Sequence, residues 1–266
     1  MEEDEVRMPE NAKVQLKWVY TPTDFFEEKE TTLLPDYEHT IENGEVTVSM
    51  DLNEYQSLPG TQEQLHNLLI GIFRGAALVS QKPFTLKAGG QETIYPDGRR
   101  DVSLQIDSAV IKMTAGTIDI IVKDQNGQVI ADSKQERLNK RRRLSILSAK
   151  YRDNDPVVES ILSSFEKSLN NPETALVHLY EIRDALAKKF SGEAIAKREL
   201  GISSSKWSRL GRLANDEPLN QGRHNGVHIG ALRDATNSEL EEARNIAIEM
   251  VVAYLEYLKT HPPRLP

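Results

Sequence analysis

The feature that most constrains the fold is a change of hydrophobic period near residue 132. Before that point apolar residues alternate with polar ones, as in half-buried strands. Val14-Gln15-Leu16-Lys17-Trp18 and Val46-Thr47-Val48-Ser49-Met50 show the pattern, and Val102 to Ile106 and Ile118 to Val122 repeat it. Asn126-Gly127 sits between two β-prone runs, where a hairpin turn is expected. One stretch departs from it: Thr61 to Ser80 places Leu65, Leu68, Leu69, Ile72, Phe73 and Ala76 on one side of a helix, between Pro59-Gly60 and Pro83.

After residue 132 every apolar pattern is helical. Ser133 to Arg152 reads as a charged helix joining the halves. Asp155-Pro156 supplies an N-cap and a first-turn proline to a stripe of Val158, Ile161, Leu162, Phe165 and Leu169. Asn171-Pro172 repeats that start before Leu176, Leu179, Ile182, Leu186 and Phe190. Shorter helices are expected over Glu193 to Leu200, stopping at Gly201, and over Ser204 to Ala214. Ser238 with Glu241 predicts a capping box for a last helix ending at Pro262-Pro263. The fold class is therefore α+β. An acidic, frayed tail (1–12) precedes a mixed-sheet domain with one long helix (13–132), a helical connector (133–152) and an all-helical domain (153–262).

Composition narrows the function. At 38% hydrophobic and 28% charged, the chain is that of an ordinary globular protein. No apolar run approaches the ~20 residues needed to span a bilayer, so no membrane partner is expected. The acidic start Met1-Glu2-Glu3-Asp4-Glu5 has the wrong charge for a signal or transit peptide. With no cysteine there is no disulfide and no thiolate metal site, and a cytoplasmic location is the simplest expectation. The net charge of −8 argues against a generic polyanion binder. Yet residues 183–212 carry eight Lys or Arg, among them Lys197, Arg198, Lys206, Arg209 and Arg212, against Asp184, Glu193 and Glu199.

Directly downstream lies the most chemically pointed segment, Arg223-His224-Asn225-Gly226-Val227-His228. An imidazole that titrates near neutrality can take a proton from a ribose 2′-hydroxyl or give one to a leaving oxygen. A guanidinium can hold the phosphate and offset its growing charge. The same residues also admit a plain surface loop in which Arg223 and His228 cap neighbouring helices. His224 and His228 have the spacing of helical metal ligands, but no third ligand is evident and Gly226 weakens a helix there, so no metal or other cofactor is expected. Ala88-Gly89-Gly90 reads as a loop lacking the lysine and spacing of a phosphate loop, and His178 as a satisfied helix histidine.

Arg223-x4-His228, preceded by helices and followed by a long C-terminal one, resembles the HEPN family (higher eukaryote and prokaryote nucleotide-binding domains). The helix start Thr236-Asn237-Ser238-Glu239 is similar to the family's as well. The resemblance covers about residues 150–262. It implies a metal-independent endoribonuclease site at a homodimer interface, a 2′,3′-cyclic phosphate product, and roles in antiviral defence or toxin systems. Other members only bind RNA or pair with partners. Arg223 would hold the phosphate, His228 would be general acid or base, and His224 and Asn225 would orient the reacting groups. Glu181, Arg183 and Asp184 are candidates for a polar residue supplied from an earlier helix. Here His224 follows the arginine where the family often has a polar residue such as asparagine, with Asn225 one place later.

Two other readings follow from the residues. The helical domain can serve as a non-catalytic dimerisation or partner-docking module, with the first domain sensing a ligand. Alternatively, Ala194 to Leu210 has the look of a helix-turn-helix, with Lys206 and Arg209 directed at DNA.

Overall fold

A computed structural model of the chain describes residues 12–33, 37–104, 119, 121–123, 128–223 and 232–263. Contacts divide these into two compact units: residues within 1–67 and 84–117, and residues within 68–83 and 118–266.

The first unit is built on one antiparallel sheet of order β2-β3-β4-β1-β5-β6. Its strands are β1 (Lys13–Thr21), β2 (Glu30–Leu33), β3 (Glu38–Glu42), β4 (Glu45–Asp51), β5 (Thr85–Ile94) and β6 (Arg100–Leu104). Alternation in β1 does what period two requires: Val14, Leu16, Trp18 and Tyr20 are buried, while Val19 on the other face is 43% exposed. These residues stand opposite the buried Met50, Val48 and Val46 of β4. The β3–β4 turn is Asn43-Gly44, both with positive φ (50° and 88°), the conformation that tight hairpins demand. Ala88-Gly89-Gly90, expected as a loop, instead lies inside β5. Gly90 pairs with Lys17 and Ala88 with Trp18, which leaves Gly89 as a bulge. A short helix, α1 (Leu52–Ser57), follows β4 and is capped by Asp51.

Helix α2 (Thr61–Ser80) has the expected bounds, but its residues from 68 onward belong to the second unit. The reason is close backbone approach to α3 (Ser133–Arg152). A Cβ on Gly71 would lie 2.7 Å from Ala149 Cα, and one on Gly75 would lie 2.5 Å from the Leu144 carbonyl oxygen. Arg74 then reaches Glu159 at 2.7 Å and Glu166 at 2.6 Å. Helix α3 is likewise more than a connector, since Leu144, Leu147 and Tyr151 are buried.

The second unit continues with α4 (Pro156–Asn170), α5 (Ala175–Lys189), α6 (Glu193–Leu200), α7 (Ser204–Gly211) and α8 (Asn237–Thr260). The expected stripes of α4, α5 and α8 form its core: Ile161, Phe165, Leu179, Ile182, Ala247 and Val251 are at most 1% exposed. Phe190 leaves the predicted stripe and sits edge-on to Tyr254 and Tyr257. Asn171-Pro172 opens a 3₁₀ turn (Pro172–Thr174) rather than capping α5 directly. The last helix starts earlier than expected: its capping box is Thr236 with Glu239, not Ser238 with Glu241. A two-stranded ribbon, β7 (Ile121–Lys123) with β8 (Val129–Asp132), precedes α3. Of the expected tail (1–12), residues 1–11 lie outside the described residues, as does Asn126-Gly127, whereas Ala12 is buried and its carbonyl accepts the Leu52 N–H at 3.0 Å.

The α2–α3 contact yields a direct test. Alanine is the better helix former by about 1 kcal/mol, yet Gly75→Ala is expected to lower the urea unfolding free energy of the full chain by about 1–3 kcal/mol, the usual cost of overpacking. Unchanged or increased stability would contradict the close approach.

Candidate functional site around Arg223

Helix α5 displays Tyr180, Arg183 and Asp184 at i, i+3 and i+4, one face of a helix. The helix ends at Lys189 and the chain turns into α6, which stops at Gly201 in the left-handed conformation (φ 65°). Ser203 caps α7, whose Trp207 and Leu210 are fully buried. Arg183 fills the space between these elements. Its guanidinium lies 4.9 Å from the centre of the Tyr180 ring and 5.5 Å from that of Trp207, and it pairs with Glu193. A Cβ on Gly211 would come within 2.9 Å of this guanidinium, so a side chain there would push Arg183 aside.

After Gly211 the expected continuous helix gives way to a wider π turn, Arg212–Asp216. Such turns are frequent at functional sites because they free backbone groups from the regular ladder. Here the Ala214 carbonyl accepts the Arg223 N–H at 2.6 Å, and Gly222 lets the two segments meet, since a Cβ on it would be 2.8 Å from that same oxygen. The Arg223 guanidinium thereby lies 4.9 Å from the centre of the Tyr180 ring, and its Nη1 donates to Asp184 Oδ2 at 3.2 Å. The Arg223 side chain keeps 37% of its surface in solvent, so part of its fork of donors remains open.

His224, Asn225 and His228 lie outside the described residues. Both ends of their segment are anchored. Arg233 exchanges backbone hydrogen bonds with Pro218 and Asn220 (both 2.9 Å), Asp234 accepts from the side chains of Asn220 and Gln221, and Gln221 accepts the Ala235 N–H. Arg233 also makes a two-pronged pair with Glu239 in the first turn of α8.

Of the three earlier-helix candidates, Asp184 is the one brought to Arg223. Arg183 shares the Tyr180 ring with Arg223, its guanidinium also 4.9 Å from the ring centre, and pairs with Glu193, while Glu181 turns to Ser164 and His178. Tyr180 is not among the expected site residues; the only local sign of it is an aromatic residue four before an aspartate on a helix, which puts both on one face.

The basic residues differ more from expectation. Lys206 pairs with Glu249 at 2.5 Å, Arg209 holds Glu242 with two hydrogen bonds and lies 3.5 Å from Glu217, and Arg198 pairs with its neighbour Glu199. Arg212 is exposed and Lys197 half-buried, and neither side chain has a partner among the described residues. Counted along the sequence the excess is positive; in space, carboxylates of α8 pair with two of the eight basic side chains, Lys206 and Arg209. The same pairing turns Lys206 and Arg209, expected to face DNA in the helix-turn-helix reading, toward α8 instead. Comparison of the chain with family models, with curated proteins and with solved structures finds no match.

The Arg233–Glu239 anchor can be measured by titration. Hydrogen bonds from Arg233, then from the Thr236 backbone N–H, pull the Glu239 carboxyl down from 4.5 to about 2. Because the folded value is depressed, its contribution to stability is present above about 4.5 and is lost as pH falls towards 2. Carbon-detected NMR is expected to find Glu239 titrating near 2, and Arg233→Gln to move it back towards 4.5. An unmoved value in that variant would sink the assignment.

Proposed function

We propose that the helical unit binds RNA and cleaves it without a metal ion, with Arg223 on the scissile phosphate. The observation that carries this reading is the seating of Arg223: stacked on Tyr180, tied to Asp184 by one nitrogen, and still partly open to solvent. An arginine held in this way loses little further freedom when it grips a phosphate. His228 follows five residues later in the sequence.

The chemistry proposed is transesterification. The ribose 2′-oxygen attacks phosphorus as its proton passes to a base, and the bond to the 5′-oxygen breaks as that oxygen receives a proton. The products are a 2′,3′-cyclic phosphate and a 5′-hydroxyl. His228 serves as general acid or base, and His224 and Asn225 orient the phosphate or hydroxyl. Arg223 offsets the charge on the non-bridging oxygens. The resemblance to HEPN domains adds a homodimeric arrangement and a place in defence or toxin systems. The ion pairing of Lys206 and Arg209 favours a second reading, a non-catalytic module that docks a partner.

Incubating the pure chain with RNA in excess chelator separates them. Cleavage is expected to persist in chelator and to fall by about 10²-fold or more in Arg223→Ala and His228→Ala. No cleavage by the wild type, or cleavage unchanged in His228→Ala, would overturn the catalytic reading; RNA affinity without cleavage would select the second.

A further inference from the structure

The sheet unit contains a cleft of about 610 Å³, a volume that suits a small molecule. Trp18 and Ala88 line it from the sheet, Tyr55, Leu58 and Pro59 from α1 and the turn after it, and Gly60 to Glu63 from the start of α2. None of these residues takes part in the fold's recognisable chemistry, and three independent features give the cleft the character of a binding site.

The first is its donors. An α-helix leaves its first N–H groups without partners inside the helix. In α2 the Gln64 N–H already reaches the Gly60 carbonyl at 3.0 Å, so the N–H groups before it are the orphans. The Thr61 hydroxyl does not cap them, because it is turned to the Leu58 carbonyl at 2.5 Å. Gly60 has a φ of 80°, and a Cβ there would meet nothing within 4 Å, so the approach to this turn is open.

The second feature is Trp18. Its ring is fully buried, yet its indole N–H has no acceptor among the described residues. Buried donors are almost always satisfied, and one left over in the wall of a cleft points to an acceptor from outside the chain. The third is the bulge. It falls between Lys17 and Trp18, where Gly89 is the extra residue, and it sets the small side chain of Ala88 opposite Trp18. Gln62, Glu63 and His66 add polar groups to one side of the cleft, and the other is apolar: Leu58 is 54% exposed, and the Tyr55 ring is fixed by its hydroxyl on Gln91 at 3.1 Å.

We propose that this cleft binds a small molecule with a flat apolar body and an anionic head, carboxylate or phosphate. The head takes the first-turn N–H groups of α2, where the helix dipole favours negative charge. The body lies against Tyr55, Leu58 and Pro59, and an acceptor atom on the ligand satisfies the Trp18 indole. The exposed Glu63 at the same turn favours a head of low charge.

The chain has two tryptophans, so a ¹⁵N-labelled full chain gives two indole N–H signals, and Trp207→Phe assigns them. Phenylacetate, AMP and the uncharged benzyl alcohol are titrated in turn. A saturable shift of the Trp18 indole and of the Gly60 to Glu63 amides is expected with phenylacetate if the head is a carboxylate, or with AMP if it is a phosphate. Leu58→Glu, a change at an exposed position, is expected to weaken that binding at least tenfold with an unchanged melting temperature. The proposal is overturned if neither anion moves the Trp18 indole, if benzyl alcohol binds as well as the anions, or if Leu58→Glu binds undiminished.

Discussion

The helical unit depends on one buried carboxylate. Asp155 is 2% exposed and holds three helices at once. Its Oδ1 accepts the N–H groups of Val157 and Val158 at the start of α4, while Oδ2 accepts the Tyr254 hydroxyl of α8 at 2.8 Å and Lys189 of α5 at 3.3 Å. Burying a carboxylate is tolerable only when its lone pairs are used, and here all its neighbours are donors. Burial, then the bond to Asp155, pushes the Tyr254 hydroxyl well above its ordinary range, so it remains a donor across the physiological pH range. Hydrogen bonds to a charged partner are each worth about 1.5–3 kcal/mol, enough for this cap to fix the packing as well as start a helix.

The candidate site inherits that rigidity. Lys189 lies on the same helix as Tyr180 and Asp184, so anchoring the end of α5 also holds the surface on which Arg223 rests. From the other side Arg183 ties α5 to Trp207 and Glu193, and the bridge between Leu219 and Arg233 fixes the chain where it leaves and returns. A guanidinium positioned by aromatic stacking and one carboxylate contact is pre-organised without being consumed. Glu249 and Glu242 of α8 engage Lys206 and Arg209, which lowers the net positive charge of this surface.

Much of this fold was legible in the sequence. The helices α2, α3 and α6 and the Asp155-Pro156 start follow from periodicity and local caps, which are properties of neighbouring residues. Strands β2, β3 and β5 were not legible. Their pairing is decided by partners far along the chain, and Ala88-Gly89-Gly90 reads as a loop until the opposing Lys17 and Trp18 make it a bulge. The β3–β4 turn is carried by Asn43-Gly44, a dipeptide whose residues tolerate the positive φ that tight hairpins require. At the site, Arg223 was legible because its residue type and spacing carry chemistry. Its seat on Tyr180 was not, because the two are distant in sequence and only tertiary packing joins them. The counted positive charge misled for the same reason: Glu242 and Glu249 are distant in sequence and adjacent in space.

In the proposed reaction Arg223 presents a phosphate to attack by the neighbouring ribose hydroxyl. An RNA carrying a single 2′-deoxy residue at the mapped cleavage position lacks that hydroxyl. It is expected to bind as the all-ribose RNA does, to remain uncut at that bond, and to be cut elsewhere as before. Cleavage at the deoxy position would contradict that reaction.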